Sequence, residues 1–162
     1  MTTPLYTAEQ RRRRDQTPWT LVQGVLAPAQ FLVFLVSLVL VLRALLTGEG
    51  IALATASVVV KTLFLYAIMV TGAIWEKAVF GRYLFAPVFF WEDVFSMGVL
   101  ALHTLYLVAL ATGWLDPRGQ LLLALAAFAA YVVNATQFVL KLRAARLQSQ
   151  GLAARGALEV AR

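Results

Sequence analysis

Four apolar runs, each long enough to cross a bilayer as a helix, leave this chain of 162 residues almost no other way to fold. They extend roughly from Leu21 to Leu46, Leu53 to Trp75, Phe89 to Thr112 and Gln120 to Leu142. A hydrocarbon core takes about 20 predominantly apolar residues per helix, and lipid offers no partner to an unpaired backbone N–H or C=O. Hydrophobic residues make up 61% of the chain and charged residues 14%, outside the usual range of soluble domains. The expected fold is all-α: a polytopic membrane protein, a four-transmembrane-helix bundle with both termini cytoplasmic.

Turn chemistry separates the runs. Thr47-Gly48-Glu49-Gly50 divides the first pair, Gly81 and Pro87 the second, and Gly113 with Asp116-Pro117-Arg118-Gly119 the third. The connections after the first and third runs are short, so consecutive helices should be antiparallel neighbours. Residues 1–20 form a basic N-terminal segment, 21–146 the transmembrane domain and 147–162 a tail. That tail follows the basic extension Leu142 to Leu147, loses periodicity at Gly151 and is expected to be disordered. The first run is far longer than a signal-peptide core and lacks a small-residue cleavage site, so it is expected to be retained.

Charge sets the orientation. Arg11, Arg12, Arg13, Arg14, Lys77, Arg82, Lys141, Arg143, Arg146, Arg155 and Arg162 fall on one side, against Arg43 and Arg118 on the other. The positive-inside rule puts the first side in the cytoplasm. The net charge of +6 flanks membrane segments instead of forming a basic face, which argues against nucleic acid as a partner. Trp75, Trp91 and Trp114 mark interfaces, and within the spans Lys61 stands apart as a charge. With no cysteine, thiolate metal sites and thiol nucleophiles are excluded, and one histidine cannot hold a haem between two imidazoles.

The stretch Ile74 to Met97 is the chemically dense part. It packs three carboxylates, Glu76, Glu92 and Asp93, among eight aromatic residues. Ionisable groups at or inside a bilayer are costly, so such a cluster points to function. Glu92, Ser96, Val99 and His103 follow helical spacing and share one face, with His103 about 16 Å deeper than Glu92. Glu76 and Lys77 end the second helix on the same side, so the carboxylates can converge. Clustered carboxylates repel and keep a proton, which would supply a general acid. The plainer alternatives are capping of the third helix by Glu92 and Asp93, and salt bridges among Glu76, Lys77, Arg82 and Glu92. His103 suits metal ligation, a proton relay or an ordinary hydrogen bond. Gln23, Gln30 and Ser37 on the first helix, and Tyr131, Asn134, Gln137 and Lys141 on the fourth, form seams of the kind that usually join helices. The aromatic residues Trp75, Phe80, Tyr83, Phe85, Phe89, Phe90, Trp91 and Phe95 are either an interfacial belt or a wall for a flat ring system with a polar edge.

Several of these residues carry a resemblance. Trp75-Glu76-Lys77 with Phe80-Gly81 and Tyr83-Leu84-Phe85-Ala86-Pro87, then Phe89 through Met97 and Leu100-Ala101-Leu102-His103-Thr104, resembles the bacteriochlorophyllide 3-vinyl hydratase family. The similarity extends from Met1 to the Gln137–Arg146 region. It implies addition of water across the C3-vinyl group of chlorophyllide a or 3-vinyl bacteriochlorophyllide a in bacteriochlorophyll synthesis. No site residue is carried over from the family, so roles rest on the chemistry. Glu76, Glu92 or Asp93 would protonate the vinyl group, and a neighbouring carboxylate or His103 would handle the water. His103 could instead ligate the substrate's magnesium.

Lys77 and Arg82 are placed for the substrate's free propionate. Trp75, Tyr83, Phe89 and Trp91 would face the ring, with Ser96, Gln30 and Asn134 as polar contacts. The reaction requires no cofactor, since the magnesium belongs to the chlorophyllide. The implied surroundings are a bacterial inner, photosynthetic intracytoplasmic membrane and the other enzymes of the pathway. Ala52, Ala56, Ala126 and Ala130 suit packing within a chain or a homo-oligomer. A pigment carrier that performs no chemistry, and a small proton-coupled transporter using Glu76 or Lys61, are the rival functions.

Overall fold

The computed structural model describes residues 5–160, without the side chains of residues 148–149 and 152–160. Met1–Pro4 of the N-terminal segment and Ala161 and Arg162 of the tail lie outside the described residues. The elements are all helices: α1 (Ala8–Gln16), α2 (Pro18–Thr47), α3 (Ile51–Phe80), α4 (Phe90–Thr112) and α5 (Pro117–Val160). Four of them are long and apolar enough to cross a membrane: α2, α3, α4, and α5 over Pro117–Leu147.

Local sequence explains the ends. Thr7 caps α1 in a reciprocal box: its hydroxyl accepts from the Gln10 N–H at 3.2 Å, and the Gln10 side chain accepts from the Thr7 N–H at 2.9 Å. Pro18 then stops α1 and opens α2, because proline disfavours a helical residue before it but fits the first turn of a helix. At the far end of α3, Gly81 takes φ +84°, and its N–H returns to the Lys77 carbonyl. A Cβ at Gly81 meets nothing within 4 Å, so only the backbone resists it. Gly81→Ala is therefore expected to cost about 1 kcal/mol, measured by thermal unfolding in detergent.

Helices α2 with α3, and α4 with α5, form two tight hairpins that meet face to face. Small residues set the close approach. Ala54, Ala109, Ala124 and Ala127 are all fully buried, where backbones can draw together. Phe34, Val58, Leu65, Val99 and Phe128 fill the space between. Leu32, Val36, Val39, Leu63 and Val108 point outward, as lipid-facing positions do.

A second cluster joins Tyr6, Val79 and Phe89 with Trp75, Phe80, Phe138 and Ala145. It gathers the segment before α1, the end of α3, the residues that lead into α4 and the outer part of α5 at one end of the bundle.

Two boundaries differ from expectation. Helix α3 continues past Trp75 to Phe80, so Glu76 and Lys77 sit inside a helix turn. Helix α5 runs on through Gly151 to Val160 instead of ending near residue 147. Its continuation is rich in Ala, Leu and Arg, whose helix preference outweighs the roughly 1 kcal/mol that each glycine costs.

Candidate active site at the 81–89 connection

The last turn of α3 carries Glu76, and the first turn of α4 carries Glu92 and Asp93. All three are buried. The connection between the helices folds back over them. Phe85 adopts φ 57°, a left-handed conformation uncommon for a side chain of its size. That kink turns two successive backbone N–H groups inward, as in an anion-binding nest. The Phe85 N–H donates to Asp93 Oδ2 at 2.7 Å, and the Ala86 N–H donates to Glu76 Oε2 at 3.2 Å. Backbone strain of this kind collects where the surrounding structure holds it for a purpose.

The two carboxyl groups lie close enough to act on each other. Neighbouring buried carboxyls favour sharing one proton over both ionising, because two like charges out of water repel. A proton donor and a proton acceptor thus lie side by side. Glu92 turns the other way and takes a hydrogen bond from Lys141 Nζ at 2.6 Å. Lys141 also donates to the Val88 carbonyl, tying α5 to the connection.

The structure corrects several expectations. Glu92 and Asp93 stand in the first turn of α4, where the macrodipole favours anions, but neither makes a capping hydrogen bond: the N-cap is Phe89, with no side-chain capping bond. The pairings expected among Glu76, Lys77, Arg82 and Glu92 are replaced. Lys77 donates to the Gly81 carbonyl at 2.9 Å and lies over the Tyr83 ring, Arg82 reaches the Phe85 carbonyl at 3.4 Å, and Glu92 takes Lys141.

The aromatic residues form no single wall. Trp75, Phe80 and Phe89 pack edge to face in the buried cluster, so Phe89 is a packing residue with no open ring face. Tyr83, Phe85, Phe90, Trp91 and Phe95 face outward. Trp75 donates its indole N–H to Thr20 at 2.9 Å.

The polar face of α4 is as expected, with Glu92, Ser96, Val99 and His103 all buried. Ser96 accepts from Asn134 at 2.8 Å. Gln30 is buried on α2, and its Oε1 has no partner among the described residues. The seams behave as interhelical links elsewhere: Gln23 donates to Thr71, and Ser37 bonds Ser57. His103 does not join the carboxylates, since ten residues of helix place it about 15 Å from Asp93. Neither the two backbone donors nor the Glu92 partner Lys141 was visible as part of the cluster. Lys141, at the end of the α5 seam nearest the carboxylates, was the available signal.

A groove of about 430 Å³ opens between α4 and α5, lined by Val94, Phe95, Gly98, Leu102, Ala130 and Val133. Its walls are apolar, and the Cβ position of Gly98 faces open space.

The sequence matches the 2-vinyl bacteriochlorophyllide hydratase (BCHF) family over residues 6–144. The chain belongs to this family. A 2-vinyl bacteriochlorophyllide hydratase of Rhodobacter capsulatus is 69% identical over 145 residues, covering 90% of this chain and 84% of the relative. One from Cereibacter sphaeroides is 69% identical over 147 residues, covering 90% of this chain and 91% of the relative. No solved structure matches. Glu76, Asp93, Glu92, Lys141 and the connection over them all lie within the residues matched to the hydratase family.

Proposed function

We propose that this chain hydrates the vinyl group of a chlorophyllide or bacteriochlorophyllide, with the Glu76–Asp93 pair as its proton source. The vinyl group numbered 2 in the family's name is C3-vinyl in the systematic numbering of the macrocycle. The observation that carries the proposal is the buried carboxyl pair held by two backbone N–H groups.

The hydrogen between the carboxyls passes to the terminal vinyl carbon, and the π electrons become the new C–H bond. The positive charge left on the inner carbon spreads into the conjugated macrocycle. A water oxygen then bonds to that carbon, and its surplus proton returns to the carboxylate pair. One water is added, giving a 1-hydroxyethyl group, and nothing is oxidised or reduced. The step needs no redox cofactor or protein-bound metal, and the magnesium stays with the substrate. Proton transfer by a positioned carboxyl group contributes roughly 10²–10⁴-fold in rate. The depth of His103 removes it as the base that activates this water.

The apolar groove beside Gly98 suits a flat ring entering from the lipid, with Trp91 exposed at its rim. Ser96 and Asn134 lie one turn below the carboxylates as polar contacts. Lys77 and Arg82 are exposed next to the connection and suit the free propionate. The methyl ester of the substrate is expected to bind roughly tenfold more weakly than the acid, on the scale of one charge-assisted hydrogen bond. Competition binding in membranes checks this, and equal affinity would remove the role of Lys77 and Arg82.

Arg11–Arg14, Lys77, Arg82 and Lys141 at the site end support a cytoplasmic setting for that end and both termini, by the positive-inside rule, and the proposed reaction suits a bacterial inner photosynthetic membrane. Other enzymes of bacteriochlorophyll synthesis, or a second copy of the chain, are the partners that setting suggests. Incubating the membrane-embedded protein with vinyl substrate should give a product one water heavier, with blue-shifted absorption. A carrier would return the substrate unchanged.

A further inference from the structure

We propose that Lys61 and His103 bind an internal water at the middle of the bundle, the deep end of a polar ladder that feeds the carboxyl pair. The feeding role rests on the hydratase reading above; the water site does not.

Lys61 is fully buried on α3, and its Nζ has no hydrogen-bond partner among the described residues. It sits 3.7 Å over the centre of the Tyr131 ring. A cation over an aromatic face gains something, but leaves the N–H groups without acceptors. His103 is fully buried on α4, within electrostatic reach of Lys61. Its Nδ1 is 2.8 Å from the Val99 carbonyl oxygen, which can only accept. Nδ1 therefore carries the hydrogen, and Nε2 presents a lone pair that no described residue meets.

The two vacant partners are opposite in kind: an amine that donates and an imidazole nitrogen that accepts. A carbonyl or carboxylate oxygen would serve Lys61 and leave Nε2 unmet. A metal ion would serve Nε2 and leave Lys61 unmet. Water accepts from one and donates to the other, and buried waters occupy such sites between otherwise unsatisfied groups. Phe128, with its ring centre 6.1 Å from that of His103, supplies no competing polar group.

The ladder climbs from there along α5. Asn134 and Gln137 follow Tyr131 at intervals of three residues, on one helix face. Asn134 donates to Ser96, but its buried Oδ1 and the Oε1 of Gln137 meet no partner among the described residues. Above them stands the Lys141–Glu92 pair at the candidate active site. A fold alone has little use for a fully buried lysine without an anion, since an apolar side chain of similar shape is usually as stable there.

The test uses the full chain in lipid nanodiscs, exposed to short radiolytic pulses in oxygen-18 water. Internal water marks the side chains beside it. Tyr131 is expected to take up oxygen-18, and Lys61→Met and His103→Leu are each expected to cut that uptake severalfold, with Trp114 labelled as before. Lys61→Gln, which restores a donor, should recover most of it. Lys61→Met should also unfold at no lower temperature than the wild type, while its turnover number falls roughly tenfold at unchanged KM, the scale of one or two lost hydrogen bonds. Tyr131 labelling that is absent in the wild type, or unchanged in both variants, overturns the water site. Labelling as expected with unchanged turnover in Lys61→Met overturns the feeding role. A wild-type protein that labels but never hydrates the vinyl group counts against the hydratase reading and not against the water site.

Discussion

Glu76→Gln and Asp93→Asn are each expected to lower turnover by roughly 10²–10⁴-fold, the contribution of a positioned proton donor. The amide keeps the shape of the side chain and an oxygen to accept the Phe85 or Ala86 N–H, so folding should persist. What it removes is the acidic hydrogen that the proposed mechanism has the two carboxyls share. Because the pair acts as one unit, the double variant should be scarcely worse than either single one. Glu92→Gln should be the mildest of the three, since Glu92 is engaged by Lys141 at 2.6 Å. Turnover in membranes at matched protein level measures all four. Additive losses would show two independent groups instead of a shared hydrogen.

Lys141→Met should produce the largest loss of stability among substitutions near the site. It strands Glu92 without its cation and takes a donor from the Val88 carbonyl. The two side chains are 25% and 11% exposed, so the cost should be about 2–3 kcal/mol, at or below the low end for breaking a buried pair. Replacing both partners, Glu92→Gln with Lys141→Met, removes the uncompensated charge and should recover most of that loss. Denaturant unfolding in detergent on the four members of the cycle gives the coupling directly.

The spans were legible because lipid imposes one rule over more than twenty residues at a time. Their ends were less so. The sequence from Glu76 to Phe80 reads as polar interface, yet Val79 and Phe80 bury against Tyr6 and Phe89 and extend α3 by more than a turn. Convergence of Glu76 with Asp93 followed from the placing of the second helix's end and the third helix's start on the same side of the bundle. Their actual partners did not, because the donors are the backbone of Phe85 and Ala86, which have no side-chain signature. The aromatic wall was misjudged for a related reason. Composition shows how many rings lie near an interface, and only packing shows that Trp75, Phe80 and Phe89 spend theirs on one another.

The most direct test of the central claim is a structure of the protein with its vinyl pigment bound. The proposed mechanism places the terminal vinyl carbon against the carboxyl oxygens of Glu76 and Asp93, beneath the Phe85–Ala86 backbone, with the inner carbon open to water from the Ser96–Asn134 side. A pigment whose vinyl group lies in the lipid or at the opposite end of the bundle, beyond reach of both carboxyls, would contradict it.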